Sequence, residues 1–273
     1  MLEEVRYLCR AYVDTQKTRV AEELRLQKYE ERGLPDEVLN IYRERVNRLK
    51  KEEKDIVKRV KELIKDFRIY KFCERVKGLG ATSAMLFIGF VDIQKATSAG
   101  KVKKYAGMTP DSQYIKGQKL GFNPDAKRFF WLMGRNVIMK KDEYYYPLYQ
   151  AKKEYYLETR GFNEFAKDPK KCPRYEECRK RLKRATRPAC KAHVDAMAKR
   201  WLNGLLISHL WELYRLDMGL PINKHRMHIP PKPEDPEHME AVLKVVVPAL
   251  REGRVIPHDL SDKETAIKLA SSL

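Results

Sequence analysis

A mainly α-helical protein is predicted, with a long helical hairpin leading into a compact helix-hairpin-helix domain and ending in a short helical tail. Three observations carry this reading. Apolar residues recur at helical spacings through the first seventy residues, as a strict three-and-four repeat in the second half, a glycine-proline break divides that stretch in two, and the last forty residues repeat the helical pattern on a smaller scale. The chain has 273 residues and 43% apolar content, enough to bury one or two ordinary cores.

Residues 1–72 read as two helices interrupted at Arg32-Gly33-Leu34-Pro35-Asp36, where Gly and Pro both oppose helix continuation. The second arm carries a coiled-coil seam through Leu39, Tyr42, Val46, Leu49, Ile56, Val60, Leu63 and Phe67, interrupted only by Glu53. The stripe of the first arm, Leu2, Val5, Cys9, Val13, Val20 and Leu24, is less regular, so pairing within the chain and formation of a homodimer or higher oligomer are both open. An arm of this size reaches ~45 Å. Residues 73–221 form the expected compact domain, with most of the aromatic residues and all three tryptophans. Residues 222–236 hold Pro230, Pro231, Pro233 and Pro236 and read as an extended linker. In residues 237–273 an apolar stripe at Met239, Val242, Val246 and Leu250 predicts one helix. Ser261-Asp262-Lys263-Glu264, in the form of a capping box, opens a second, and this tail reads as a docking appendage.

Charge bears on partners. The formal net charge is +19, and between Lys101 and Arg200 there are 26 basic against 11 acidic residues. Such an excess favours a polyanion, with nucleic acid first among candidates. No apolar run approaches the length of a membrane span, and Met1-Leu2-Glu3-Glu4 lacks the basic start and apolar stretch of a signal peptide. A cytoplasmic, nucleoid-associated protein without a membrane partner is expected.

Val76-Lys77-Gly78-Leu79-Gly80, followed by an apolar helix from Ala81, has the pattern of a helix-hairpin-helix. Gly78 and Gly80 permit a tight turn, and backbone N–H groups at the next helix start can hold a phosphate without reading bases. Lys77 and Thr82 are placed to add side-chain contacts; the alternative is a helix-helix turn with no ligand. Further basic residues follow at Lys101, Lys103, Lys104, Lys116, Lys119, Lys127 and Arg128. The aromatics of Phe129-Phe130-Trp131 read as core in preference to base-stacking platforms, and the same caution covers Tyr144-Tyr145-Tyr146 and Tyr155-Tyr156.

The order Gly-Leu-Gly, apolar helix, Asp92-Ile93, a Ser/Lys-rich turn and Tyr105-Ala106-Gly107-Met108-Thr109-Pro110 resembles the C-terminal part of the DEDD insertion-sequence transposases, the family that includes the bridge-RNA-guided recombinases. Ala196-Met197-Ala198-Lys199-Arg200-Trp201-Leu202 is similar to that family's closing helix, and members carry a coiled coil just before this part. The resemblance covers roughly residues 1–220. It implies a DNA-binding protein associated with recombination or transposition, with DNA or structured RNA as partner. Two departures accompany it. The family's RuvC-like nuclease domain, which precedes the coiled coil, is not in this sequence. The nucleophilic Ser-Gly pair expected after Thr-Pro is replaced by Lys116-Gly117, which leaves Ser112 as the nearby serine, either an ordinary loop hydroxyl or a displaced nucleophile. Binding without autonomous catalysis is therefore expected. The alternatives are a serine recombinase subunit served by a separate nuclease, and a structural protein that coats or bridges DNA.

Cys172, Cys178, Cys190 and His193 form a candidate zinc site: three of the five cysteines fall in one short stretch, and the closing Cys-x-x-His is a natural chelating pair. Unliganded thiols and a disulfide are the alternatives. Cys9 and Cys73 fit helical apolar patterns as buried fillers, and His225, His228 and His238 read as surface residues in or beside the linker.

Overall fold

The computed structural model describes residues 1–109, 112, 117, 119–159, 191–222, 229–254, 256 and 259–272, with backbone alone at 191–193. Among them are ten α-helices and no strand, so the protein is mainly α as predicted. They are α1 (Leu2–Glu31), α2 (Asp36–Ile64), α3 (Arg68–Arg75), α4 (Ala81–Phe90), α5 (Ala99–Tyr105), α6 (Pro124–Met139), α7 (Tyr145–Thr159), α8 (Lys191–Asp217), α9 (Pro236–Glu252) and α10 (Lys263–Ser271). None of these helices is long and apolar enough to cross a membrane. Two compact units result: the first comprises Met1–Arg75, Leu79–Thr97 and Leu213–Leu220, the second Val76–Gly78, Ser98–Glu212 and Pro221–Leu273. These units cut across the four segments expected from the sequence. Helices α3 and α4 group with the hairpin, whereas the basic stretch, the proline-rich segment and the tail group together.

In the first unit α1 and α2 pack against each other within the chain. On α2 the seam buries Leu39, Val46, Ile56 and Val60 as the repeat predicts, and at its end Ile64 replaces Leu63 as the buried residue. A straight helix of 3.6 residues per turn drifts against a 3.5-residue repeat, which accounts for that shift. Glu53 interrupts the apolar repeat but holds its seam position by pairing with Arg19 at 2.5 Å. On α1 the expected stripe buries Val5, Cys9 and Val13, yet Val20 and Leu24 are exposed. Thr15 and Glu22 are buried in their place: Thr15 Oγ1 donates to Glu52 at 2.9 Å, and Glu22 receives Arg25 at 2.8 Å and Arg45 at 3.2 Å. The α1 side of the outer hairpin is thus closed by polar pairs, which an apolar periodicity does not register.

Helix α4 buries residues all round, including Ala84, Met85, Leu86, Phe87 and Ile88, as a core helix must. Its Gly89 permits close approach to α1, since a Cβ there would fall 2.3 Å from the Cys9 sulfur. Phe87 meets Tyr214 edge to face with centroids 6.5 Å apart. The start of α3 is capped from far along the chain, because Asp217 accepts the N–H groups of Arg68 at 2.8 Å and Ile69 at 3.1 Å.

In the second unit α6 starts on Asn123, whose side chain accepts from the Ala126 N–H at 3.0 Å, and it buries Phe129, Phe130, Met133 and Val137. Those two phenylalanines are core. Just before α7 lies Asp142, a fully buried carboxylate that accepts from the N–H groups of Tyr144 and Tyr145 at 3.0 Å each and from the Lys232 ammonium at 2.9 Å. The proline-rich segment is held here. Tyr144 donates its hydroxyl to the Pro230 carbonyl at 2.8 Å, and His209 Nε2 lies 2.7 Å from the Ile229 carbonyl. Only a donor satisfies a carbonyl, so Nε2 carries the proton and Nδ1 accepts the Tyr145 hydroxyl at 2.6 Å. Residues 229–232, expected to lie in an extended linker, are in this way pinned into the unit. The tail packs as well: α9 lies against α7 and α10 and buries Val242, Val246 and Leu250 of the predicted stripe. Asp262, not Ser261, caps α10 by accepting the Thr265 N–H at 2.8 Å, while Ser261 bonds Asp259.

Candidate nucleic-acid interface

The Gly-Leu-Gly turn follows α3 and leads into α4. Gly78 has φ +100°, a left-handed conformation, and a Cβ there would stand 2.6 Å from the Asn136 backbone carbonyl, so no larger residue fits. Gly80 differs. Its φ of 164° is ordinary extended backbone, and an added Cβ would meet only a Glu74 carboxylate oxygen at 3.6 Å. Gly80 caps α4 without a side-chain bond, and Thr82 is half-buried in the first turn. Lys77 is occupied, since its N–H donates to Asp142 at 2.9 Å and its ammonium lies 2.9 Å from Glu143. Burial works to raise the Glu143 pKa, but hydrogen bonds from Lys232 and Lys77 outweigh it and hold the carboxyl at about 2.

The remaining basic candidates of the second unit are placed differently. Helix α5 starts on Ser98 and turns Lys101 and Lys104 to solvent. Lys103 folds back onto α8, with Cε 3.6 Å from a Cβ built on Gly204, and burial pushes its pKa below the usual lysine value. Lys119 is exposed. None of these four lysines makes an ion pair among the described residues. Lys127 lies over the Phe122 ring at 4.2 Å and Arg128 over Phe129 at 5.0 Å, so both cations rest on aromatic faces. The loop between α5 and α6 is closed at its base, where Asn123 donates its N–H to the Tyr105 carbonyl at 2.8 Å and its amide to the Tyr105 hydroxyl at 2.7 Å. Lys116 lies outside the described residues.

Within that loop Ser112 shares a 2.8 Å hydrogen bond with the Thr109 hydroxyl. A threonine hydroxyl is no general base at neutral pH, so this contact orients Ser112 without activating it. Cys172, Cys178 and Cys190 lie outside the described residues, as does the side chain of His193. Among the described residues no group of His, Cys, Asp and Glu is arranged to hold a metal ion. Cys9 and Cys73 are buried, and burial drives both thiols well above their usual pKa, Cys9 to about 12. His238, expected at the surface, is part-buried and bonds the Leu260 carbonyl at 2.8 Å.

One cluster was missed at the level of sequence. Asp195 on α8 receives Lys153 at 3.1 Å, Lys199 at 2.6 Å and the Tyr149 hydroxyl. Burial works to raise its pKa, but hydrogen bonds from Lys199, Tyr149 and Lys153 hold it at about 2, while burial and the Asp195 contact push the Tyr149 phenol up. The only sequence signal was the Asp195/Lys199 spacing of four on one helix, a common surface pattern; Tyr149 and Lys153 are more than forty residues away. No family model, no curated protein and no solved structure matches this chain.

Proposed function

We propose that the chain binds the phosphate backbone of nucleic acid, DNA in the first place, as a transposase-like protein of recombination or transposition. The residues present hold the strand and do not cut it. The carrying observation is the set of lysines in the second unit, Lys101, Lys103, Lys104 and Lys119, that no carboxylate neutralises among the described residues. Cations left unpaired in a folded protein displace condensed counterions from a polyanion with no ion pair to break first, so binding is driven by counterion release. The Ser112–Thr109 contact supports a role without autonomous catalysis. Zinc on Cys172, Cys178, Cys190 and His193 belongs to the same proposal, as a clamp for a basic stretch with little apolar content.

The test is affinity for a DNA duplex, and for a structured RNA, measured against salt. The expected outcome is a steep linear fall of log K with log salt, with a slope reduced by about one for each lysine of α5 changed to alanine. Failure to bind either polymer at low salt overturns the proposal. A covalent protein–DNA adduct abolished by Ser112→Ala overturns its non-catalytic half.

A further inference from the structure

An open groove of about 470 Å³ runs between α7 and α8 and is closed at one side by Ile138 of α6. That volume falls within the ~300–1,000 Å³ usual for small-ligand sites. Its α7 wall follows helical spacing, with Tyr146, Tyr149, Gln150 and Lys153 in one stripe, and Asp195 and Lys199 line the α8 side. The contents of this wall are specific. Tyr146 and Tyr149 lie side by side with centroids 6.2 Å apart and planes tilted by 36°; Tyr149 is buried with its hydroxyl on Asp195, so the half-buried Tyr146 is the more accessible ring. The exposed Gln150 amide offers both a donor and an acceptor. The charges do not cancel. Asp195 faces two ammonium groups, and Glu154 is already engaged by Arg251 at 2.5 Å, so three cations meet two carboxylates and one positive charge is left over.

A tyrosine ring, an amide with both hydrogen-bonding senses and a surplus cation in one groove lining match the parts of one nucleotide: base face, base edge and phosphate. We propose that this groove seats a single unpaired nucleotide of a nucleic-acid strand, with the base against Tyr146 and the phosphate on Lys199 and Lys153. Asp195 acts as a positioning residue, holding both ammonium groups at the groove. A duplex cannot present a base face to this wall, so the groove selects single strands, and base-tolerant stacking makes it indifferent to sequence. The inference rests on the nucleic-acid reading above and adds to it the strandedness of the bound segment.

The experiment uses the full chain with an oligothymidylate carrying iododeoxyuridine and with a duplex of equal length. Irradiation of the wild type should crosslink the single strand to the peptide containing Tyr146. Tyr146→Ala should weaken single-strand binding by about tenfold, the size expected for loss of one stacked base, whereas Tyr146→Phe keeps it. Lys199→Gln should lower the single-strand salt slope by about 0.7. Duplex affinity should change by less than about twofold in all three variants. Crosslinks that map elsewhere, or single-strand affinity unchanged in both Tyr146→Ala and Lys199→Gln while duplex binding persists, overturn the groove assignment and leave backbone binding standing. If the wild type binds neither probe at low salt, both proposals fall.

Discussion

The hairpin and the basic stretch carry lysine and arginine at nearly the same density: 19 such residues in positions 1–72, and 26 between Lys101 and Arg200. What differs is the acid. Residues 1–72 hold 15 carboxylates and the longer basic stretch only 11. In the hairpin Arg6, Arg19, Arg25, Arg43, Arg45, Lys50 and Arg59 each reach a carboxylate at 3.3 Å or less, whereas Lys101, Lys103, Lys104 and Lys119 reach none among the described residues. The same residue type therefore does two jobs. Paired across the two arms, as Arg19 is with Glu53, it ties the hairpin together; left without a full counter-charge, it leaves a site for something from outside the chain.

The contrast can be broken at Lys232, a cation of the second unit that is buried and paired. Lys232→Ala would strand the Asp142 carboxylate without a counter-charge and should cost about 3–5 kcal/mol in denaturant unfolding. A loss below about 1 kcal/mol would mean that pairing does not separate structural from binding cations. Next, the triple variant Lys101→Ala, Lys103→Ala, Lys104→Ala should weaken duplex binding on the order of a hundredfold at low salt, with its melting temperature unchanged. A fall in melting temperature would assign these lysines to the fold.

Arg19→Ala tests the opposite case. It removes the seam pair with Glu53 and should lower stability by about 1 kcal/mol, leaving DNA affinity within about twofold. The exposed Arg59–Glu4 pair should show no measurable change in melting when Arg59 becomes alanine. Acid sharpens the comparison from the other side. Glu143 and Asp195 are held at about 2, below the ordinary carboxylate range near ~4. The stability from their pairing is fully present above ~4 and is lost as pH falls through about 2. Titration followed by near-ultraviolet circular dichroism should show this loss, and Asp195→Asn should remove part of it.

Much of the architecture was legible because periodicity is local. The α2 seam, the α9 stripe and the buried Phe129 and Phe130 follow from spacing alone. The outer α1 seam was not legible, since Thr15 and Glu22 are buried through partners on another helix and only apolar residues contribute to an apolar stripe. The cap of α3 comes from Asp217, 149 positions beyond Arg68, and no short motif encodes such a distance. For the interface, the sequence showed where cations concentrate. Which of them are already engaged depends on neighbours in space: Lys77 is taken by Glu143, Lys103 lies against Gly204 with no carboxylate among the described residues, and the Asp195 cluster is assembled from two helices.

The clasp at the start of α7 also has a bearing on how the protein is made. Asp142 receives its counter-charge from Lys232, 90 residues later. As the chain leaves the ribosome, the carboxylate must stay hydrated until that lysine and the Ile229 and Pro230 carbonyls arrive, so α7 has no settled N-terminus over that interval. Closing so long a loop is entropically slow, and the second unit should gain its native packing late, in a step set by capture of this segment. The hairpin, whose partners are neighbours along the chain, can form while synthesis continues.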